Sequence, residues 1–235
     1  MIKISVCLAS YNGEKYIKEQ LQSILPQLDE NDEIIISDDH STDHTIEIIK
    51  NFKDPRIKIF MNSLVKGYSN NFENAISKAT GDVIFLSDQD DVWMDNKVTV
   101  MMKRLIDYDL VISDAMISDA DLNPTLGSHF QLHGTSKGFV NNWIKTRYIG
   151  ACMAFNSKML EKLLPFPKNK KLCAHDYWIA NVGEFFYNVD LVNVPLIKYR
   201  RHGNNASTGG DKSSNSMLHK IKVRFYTLKE LLKRK

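Results

Sequence analysis

Four polar residues with the chemistry of a metal site, Asp88-Gln89-Asp90-Asp91, come one residue after an apolar run in this chain of 235 residues. The run Val83-Ile84-Phe85-Leu86 predicts a buried strand, and open α/β sheets bind their ligands at the carboxyl ends of such strands. Asp88 and Asp90 stand two residues apart, so a turn can direct both carboxylates at one hard cation. Mg²⁺ or Mn²⁺ is then held by one or two carboxylates and by the phosphates of a substrate. The cluster indicates an enzyme that uses a nucleoside diphosphate, and its alternative is a solvated turn.

The elements around this cluster alternate over the first ninety residues. Strands are predicted at residues 4–8, 33–37, 56–61 and 83–86. Between them, apolar residues recur at helical spacing at Ile17, Leu21, Ile24 and Leu28, at Ile46, Ile49 and Phe52, and at Phe72, Ala75, Ile76 and Ala79. Gly81 is expected to close the last of these helices as a left-handed C′ residue. The order predicts an α/β fold in which helices flank a mostly parallel central sheet.

The pattern is looser after Trp93. A helix is predicted from Val98 to Leu105, a strand at 110–113 and a helix at His175–Phe186. Residues 119–138 have weak periodicity and predict a long functional or mobile loop. Residues 203–216, rich in Gly, Asn and Ser, predict a flexible linker.

The C-terminal tail predicts a basic amphipathic helix. Leu218, Ile221, Phe225, Leu228 and Leu232 recur at steps of three and four. Seven cations accompany them, with Glu230 as the sole acid: Lys220, Lys222, Arg224, Lys229, Lys233, Arg234 and Lys235. Such a helix suits the surface of an anionic membrane. It equally suits a helix that packs on its own domain with a solvated basic face, and the stripe alone does not choose between them.

Composition narrows the class of protein. The formal net charge of +3 is too small to indicate nucleic-acid binding. Cys7, Cys152 and Cys173 are widely spaced, which favours a reducing compartment and argues against a disulfide framework or a zinc site. Residues 1–3 lead directly into a predicted strand, so no secretory signal is expected, and no run approaches the roughly 18 apolar residues of a membrane span. We expect a cytoplasmic protein, with peripheral contact at the inner face of the cell membrane if the tail binds lipid.

Three polar motifs follow successive strands and should converge on one edge of a parallel sheet. They are Leu8-Ala9-Ser10-Tyr11-Asn12-Gly13, Ser37-Asp38-Asp39-His40-Ser41-Thr42-Asp43 and Ser87-Asp88-Gln89-Asp90-Asp91-Val92-Trp93. In this order they resemble the motifs of family 2 glycosyltransferases. The resemblance covers residues 2–205 and implies the Rossmann-like GT-A fold and transfer of a sugar from a nucleoside diphosphate with inversion. It divides residues 1–205 into a nucleotide-binding half, 1–93, and an acceptor-binding C-terminal half, 94–205, followed by the linker and basic tail helix at 206–235.

The resemblance also implies roles on the donor side. Ala9, Ser10 and Tyr11 would surround the nucleoside, and Asp39 would accept a hydrogen bond from N3–H of uracil or thymine, as suits an acceptor-only carboxylate. Asp88 would lie near the ribose beside Gln89, and Asp90 would be the principal ligand of Mn²⁺ or Mg²⁺. Asp88 and His202 are further candidate ligands. Taken alone, Asp39 also suits the N-cap of the following helix.

Two later segments complete the implied site. His175-Asp176-Tyr177-Trp178 resembles the motif that supplies the general base, here Asp176; an acid stabilised by a helix N-terminus is the alternative. Tyr199-Arg200-Arg201-His202-Gly203-Asn204-Asn205 resembles an element that closes the donor site, with Arg200 or Arg201 on phosphate oxygens. Singly, those cations also suit a solvated surface. Gly150 to Ala154 resembles a segment lining the acceptor side, with apolar packing as the other reading.

The motifs look most like a bacterial rhamnosyltransferase-like branch of the family. The implied function is an inverting, metal-dependent glycosyltransferase of surface polysaccharide biosynthesis, with dTDP-rhamnose or a UDP-hexose as donor and a saccharide or lipid-linked acceptor. One alternative is a sugar-nucleotide nucleotidyltransferase, although the turn after the first strand has one glycine and no basic cluster. A non-catalytic carbohydrate-binding relative is the other alternative.

Overall fold

Four parallel strands form the N-terminal part of a central sheet in the computed structural model, which describes residues 2–203 and 216–235. They lie in the order β3-β2-β1-β4, and three helices make the connections between them. In chain order these elements are β1 Ile4–Ser10, α1 Ile17–Ile24, β2 Glu33–Asp38, α2 Thr45–Lys50, β3 Ile57–Met61, α3 Tyr68–Ile76 and β4 Val83–Asp88. The predicted α/β alternation is confirmed.

The C-terminal half extends the same sheet with mixed pairing. Its elements are β5 Val92–Trp93, α4 Lys97–Arg104, β6 Leu110–Ser118, β7 Pro124–Leu126, α5 His129–His133, α6 Phe139–Lys145, β8 Met153–Asn156, α7 Leu160–Leu163, α8 His175–Phe186 and β9 Val189–Arg200. The order continues β4-β8-β6-β9-β5, and β7 pairs with β6. β8 is antiparallel to both neighbours, whereas the long β6–β9 ladder is parallel. The longest ladders of the sheet are therefore parallel, as predicted.

The strand register brings the polar motifs to one edge. Ala9 pairs with Asp88, and Ser10 pairs with Asp38, so the ends of β1, β2 and β4 are level. The apolar residues that precede these ends, such as Leu8 and Leu86, are fully buried. Burial on both faces explains why these strands are continuous apolar runs instead of alternating ones.

Several elements differ from the sequence expectation. The segment 119–138, predicted as an irregular loop, contains β7 and α5. β9 was not predicted because Pro195 and several polar residues interrupt its apolar pattern; Pro195 lies where the β6–β9 register shifts, a place where a strand tolerates proline. Residues 204–215 of the predicted linker, with Asn204 and Asn205 of the last motif, lie outside the described residues.

A helix, α9, runs from Met217 to Leu232 and packs on the domain. The hydroxyl of Ser216 caps it by accepting a hydrogen bond from the His219 amide at 3.2 Å. Thr227 and Leu231 are fully buried against the rest of the protein. Among residues 2–203 and 216–235, no helix combines the length and apolar character that crossing a bilayer requires.

Gly81 has a different role from the one predicted. α3 ends at Ile76, five residues earlier, and Gly81 does not have a positive φ. A Cβ at this position would instead lie 2.7 Å from the Ser5 amide nitrogen and 2.8 Å from the Lys3 carbonyl oxygen. The Gly81 amide also donates to the Ser5 hydroxyl at 2.8 Å. The glycine is required by the close approach of two backbones, which a local turn pattern does not reveal.

We expect Gly81→Ala to lower the free energy of unfolding by about 1–3 kcal/mol, since the added methyl group overlaps backbone atoms that cannot rotate away. Gly127→Ala is the matched control, because a Cβ there meets nothing within 4 Å. Urea unfolding of the two variants and the parent measures the difference. Equal stability of Gly81→Ala and Gly127→Ala would contradict the packing argument.

Candidate active site

The loops after β1 and β4 are joined by the side chain of Gln89. Its Oε1 accepts a hydrogen bond from the Tyr11 amide at 2.8 Å, and its Nε2 donates to the Tyr11 carbonyl at 3.0 Å. Gly13 leaves the space for this side chain, because a Cβ there would lie 2.2 Å from Gln89 Oε1. The predicted nucleoside loop and metal loop are therefore one connected unit. Ala9 and Ser10 are largely buried beneath it, whereas Tyr11 is 46% exposed.

Asp39 is buried and held at two points. Its carboxylate accepts hydrogen bonds from Asn62 Nδ2 at 2.7 Å and from the Gly67 amide at 2.8 Å. It does not cap α2, so that alternative is wrong: the amide of Thr45, at the start of α2, donates to Asp43 instead. The carboxylate keeps its acceptor character with a fixed orientation. Neither Asn62 nor Gly67 was identified from the sequence, because both lie on the loop after β3, for which no motif was apparent.

Asp38, beside it, has a supporting role. Its carboxylate is fully buried and accepts hydrogen bonds from the hydroxyls of Ser10 and Ser41, at 2.8 and 2.6 Å, and from the Ser41 amide at 2.7 Å. These bonds tie the end of β2 to the end of β1. The Asp-x-x-Ser turn from Asp38 to Ser41 was the signal for this role in the sequence.

Three carboxyl groups crowd together after β4. Burial, with the charges of Asp90 and Asp176, raises the pKa of Asp88 to about 7. Burial, with the charges of Asp90 and Asp88, raises the pKa of Asp91 well above its ordinary value, and Asp91 Oδ2 is buried without a hydrogen-bond partner. Because like charges this close destabilise one another, a bound cation would relieve the repulsion. The donor set is of the carboxylate type that Mg²⁺ and Mn²⁺ prefer.

The cluster fits a metal that the substrate helps to bind. Asp90 Oδ2 lies 2.8 Å from His202 Nε2, and both side chains are slightly exposed. Over residues 2–203 and 216–235, no three His, Cys, Asp or Glu side chains form a ready-made metal site. A cation here would need further oxygen ligands, which diphosphate oxygens supply in many Mg²⁺ sites. Asp90 with Asp88 and His202 would hold it.

Arg200 positions the acidic loop. Its side chain is buried, and its guanidinium donates to the carbonyl oxygens of Asp90 and Ala120 at 2.8 and 2.6 Å and pairs with Glu19. Its amide donates to Asp91 Oδ1 at 3.0 Å. These contacts with protein groups account for the arginine at the end of β9, so no bound phosphate is needed to explain it. The next residue, Arg201, is half-buried and donates its amide to Ser118.

Tyr16 is a site residue that the sequence did not reveal. Its ring stacks on His202 with centroids 4.8 Å apart, and the Arg200 guanidinium lies 4.7 Å from its centroid. The ring thus orients both members of the C-terminal motif from the turn that precedes α1. Tyr16 lies just before the first residue of α1, so it is not part of the apolar periodicity that identified this helix.

Asp176 lies in the first turn of α8, on the other side of Asp88. Its negative charge contributes to the raised pKa of Asp88 and, after burial, to the raised pKa of Tyr68. A Cβ on Gly150 would lie 2.8 Å from His175 Nε2 and 3.6 Å from Asp176 Cβ. Asp176 therefore adjoins both the metal loop and the segment predicted to line the acceptor. Asp176 also lies at the N-terminus of α8, as the alternative prediction requires. The two predictions for this residue are therefore compatible.

His175 stabilises the first turn of α8. It is buried, its ring stacks on Phe72 with centroids 4.3 Å apart, and its amide donates to the Ser69 hydroxyl at 3.1 Å. Burial lowers its pKa, so the ring is neutral at pH 7. The neutral imidazole fixes the position of α8 and leaves Asp176 as the acid of this motif.

Lys97 is a fully buried cation behind the acidic loop. Its Nζ donates to the Ala151 carbonyl at 2.6 Å and lies 4.4 Å from the centroid of the Trp93 ring. Burial lowers its pKa to about 8, while Asp91 and Asp88 act in the opposite direction. It was overlooked because a charged residue at a helix start is usually solvated. Its spacing of four from the buried Met101 was the available signal.

The described geometry agrees with comparisons to known proteins. The sequence model of glycosyl transferase family 2 matches residues 5–164. A relative from Escherichia coli, UDP-Glc:alpha-D-GlcNAc-diphosphoundecaprenol beta-1,3-glucosyltransferase WfgD, is 34% identical over 84% of this chain and 76% of its own. The dTDP-rhamnosyl transferase RfbG of Shigella flexneri is 30% identical over 84% of this chain and 72% of its own.

Solved structures share the fold. The S. aureus protein TarS, residues 1–349, in complex with UDP-GlcNAc, superposes with a TM-score of 0.69 over 99% of this chain and 72% of its own, at 17% identity. The mannosyltransferase PcManGT of Pyrobaculum calidifontis, in complex with GDP-Man and Mn²⁺, superposes with a TM-score of 0.59 over 82% of this chain and 54% of its own, at 20% identity. The GT-A architecture implied by the motifs is confirmed.

The crowded acids predict a pH-dependent stability that Asp88→Asn removes. Asp88 holds its proton in the folded protein up to about pH 7, whereas in the unfolded chain it releases it near pH 4. From about pH 4 to about pH 7 the unfolded chain is therefore stabilised by ionising this group while the folded protein keeps it protonated, so the free energy of unfolding falls as pH rises through that window. Relative to the parent, Asp88→Asn should gain on the order of 1–4 kcal/mol over that window and nothing further above it.

Denaturant unfolding at several pH values, with a chelator present, measures this trend. Asp107→Asn, which alters an exposed carboxyl group, is the control and should show a flat difference from the parent. A flat difference for Asp88→Asn would mean that Asp88 is not in the crowded environment described.

Proposed function

The chain belongs to glycosyltransferase family 2, and we propose that it is an inverting, metal-dependent enzyme of bacterial surface polysaccharide biosynthesis. The family establishes glycosyl transfer. The relatives support a nucleotide-sugar donor, since their names include a UDP-Glc-dependent glucosyltransferase and a dTDP-rhamnosyl transferase. One observation carries the finer proposal: acids from two distant segments, Asp88 and Asp90 from one and Asp176 from the other, crowd at the edge where Asp39 and the nucleoside loop also lie.

The donor base is uracil or thymine in this proposal. Asp39 presents an acceptor-only carboxylate whose direction Asn62 and Gly67 fix. The N3–H of either base can donate to it, whereas N3 of cytosine is an acceptor and would be repelled. A dTDP-sugar such as dTDP-rhamnose, or a UDP-hexose, therefore fits. Ala9, Ser10 and Tyr11 would contact the nucleoside, and Asp88 with Gln89 would lie towards the ribose.

The diphosphate would lie between the acidic loop and the end of β9. A divalent cation, when bound, supplies positive charge that stabilises the departing diphosphate. Asp90 would hold it, with Asp88 and His202 as further ligands and Arg201 as a candidate phosphate contact. Its charge would also favour ionised Asp88, since an adjacent positive charge lowers the pKa of a carboxyl group. Arg200 would act as a positioning residue for the same loop.

Asp176 would be the general base. Its carboxylate takes the proton from the acceptor hydroxyl while that oxygen forms a bond to the anomeric carbon. The bond from this carbon to the diphosphate oxygen breaks, and its electron pair leaves with the diphosphate. Attack opposite the leaving group inverts the configuration at the carbon. Positioning at hydrogen-bond distance is the main requirement of the base, and Gly150 and His175 secure it from the acceptor side.

The two halves would then divide the work. Residues 1–93 bind the nucleotide, residues 94–205 bind the acceptor, and the tail at 206–235 is separate from both. The acceptor is a saccharide or lipid-linked saccharide, as the name of WfgD indicates for that relative. A nucleotidyltransferase gains no support, because the turn at Gly13 has a single glycine and is filled by the Gln89 side chain. A non-catalytic relative remains an outcome of the test below.

Transfer should depend on Asp176 and Asp90 in different ways. With Mn²⁺ or Mg²⁺ and a panel of UDP- and dTDP-sugars, Asp176→Asn should lower kcat by about 10²–10⁴-fold, because proton transfer contributes that much, and leave nucleotide binding intact. Asp90→Asn should weaken binding of both metal and nucleotide. Asp107→Asn, in the exposed turn after α4, should behave as the parent.

Nucleotide binding without transfer or donor hydrolysis by the parent would show a binding protein. Transfer unchanged in Asp176→Asn would overturn the assignment of the base, and pyrophosphate release from a nucleoside triphosphate would indicate a nucleotidyltransferase.

Base recognition predicts a nucleotide preference that Asp39→Asn should erase. In a thermal-shift screen with Mn²⁺, UDP and dTDP should raise the melting temperature more than GDP or CDP, because a ligand of the native state stabilises it. The asparagine amide offers a donor as well as an acceptor, so the preference for UDP over CDP should fall by about 1–3 kcal/mol. Asp107→Asn again serves as control. A parent that prefers GDP would contradict the role of Asp39.

A further inference from the structure

The apolar stripe of α9 faces solvent and not the protein. The exposed fractions of its side chains are 63% for Leu218, 42% for Ile221, 66% for Phe225 and 49% for Leu232. Side chains at this spacing share one face of a helix. Two of them, Phe225 and Leu232, border a shallow groove around Leu228 together with Lys229 and Lys233. Four large apolar side chains on one open face differ from scattered exposed residues, which need no explanation.

The helix is already fixed to the domain through its other face. Thr227 and Leu231 are buried, and the Trp143 indole donates to the Arg224 carbonyl at 2.9 Å. The Tyr226 hydroxyl accepts from the Asn169 amide at 3.0 Å, and Arg234 donates to the Leu164 carbonyl at 2.8 Å. The outward stripe is therefore not the face through which α9 packs on the domain. The two sequence alternatives for the tail were not exclusive: one face packs and the predicted apolar face stays open.

Cations line one flank of the stripe. Lys222, Lys229 and Lys233 each follow a stripe position by one residue, and all three are exposed. At 100° per residue this spacing places them side by side along the same edge. The single acid of the helix, Glu230, is paired with Lys233 at 2.6 Å. The open face thus combines large apolar side chains with a row of positive charge.

We propose that this face of α9 binds an anionic lipid surface, with the helix lying in the plane of the interface. Leu218, Ile221, Phe225 and Leu232 would enter the boundary between headgroups and acyl chains, while the flanking lysines contact anionic headgroups. The proposal goes beyond the transfer reaction and does not depend on which sugar is moved. It would hold the domain at the surface where a lipid-linked acceptor is found.

Other occupants fit less well. In a symmetric dimer the same patch meets itself, so the lysine row of one copy would face like charge on the other. The preceding segment 204–215 has no Leu, Ile, Val, Phe or Met with which to cover the stripe. An anionic membrane matches both the apolar and the charged part of the face.

Vesicle co-sedimentation of the full chain tests the proposal. Binding to vesicles of phosphatidylglycerol and phosphatidylcholine should exceed binding to pure phosphatidylcholine at least tenfold and fall when salt is raised from about 0.1 M to about 0.5 M. Phe225→Glu should weaken partitioning at least tenfold, and Lys222→Gln with Lys229→Gln should weaken it on anionic vesicles alone. Ile106→Glu, at an apolar side chain that is 78% exposed in the turn after α4, is the matched control and should bind as the parent.

Each substituted side chain is exposed, so the variants should fold, and equal melting temperatures would verify this. Donor hydrolysis in the absence of vesicles should be unchanged in Phe225→Glu, which separates this proposal from the assignment of the active site. Equal binding to neutral and anionic vesicles, or full binding by Phe225→Glu, would overturn it. Concentration-dependent dimerisation that Phe225→Glu abolishes, without vesicle binding by the parent, would assign the face to a second copy instead.

Discussion

Repulsion among carboxylates is the constraint on which the rest of the site depends. Asp88, Asp90, Asp91 and Asp176 are close enough that their charges raise the pKa of their neighbours. Such a cluster is unfavourable unless fixed charges and hydrogen bonds oppose the repulsion. The protein supplies buried Lys97 on one side and the contacts of Arg200 with the loop on the other. The negative charge that these groups do not offset would attract a cation to the loop after β4.

The sheet makes this crowding possible because it fixes where each loop begins. Parallel strands β1, β2 and β4 end at the same level, so their polar residues meet without long connections. Gly81 allows β4 to lie against β1, and Gly150 allows α8 to approach the segment before β8. Small residues at backbone crossings therefore determine how closely the two halves of the site approach one another.

Much of this could be predicted from the sequence where the signal is local. Buried parallel strands appear as apolar runs, and α8 was predicted with its observed bounds. The motif order predicted that Asp39, Asp88 and Asp176 belong to one site, and their chemical roles stay predictions. Lys97, Tyr16 and Asn62 could not be found in this way, because their roles arise from contacts between distant segments. Pro195 interrupts the apolar pattern of β9, so this strand was not predicted. Periodicity identified the apolar stripe of α9 but did not show which face of the helix packs on the domain.

The double hydrogen bond between Gln89 and Tyr11 has a consequence for how ligands are sensed. Since one amide side chain bonds both backbone groups of Tyr11, displacement of the acidic loop must displace the nucleoside loop in the same direction. With the cation and the nucleoside bound as proposed, each would change the affinity for the other by an equal factor. A Cβ at position 13 would overlap Gln89 Oε1, so a larger residue there would displace the Gln89 side chain from the Tyr11 backbone and weaken that coupling.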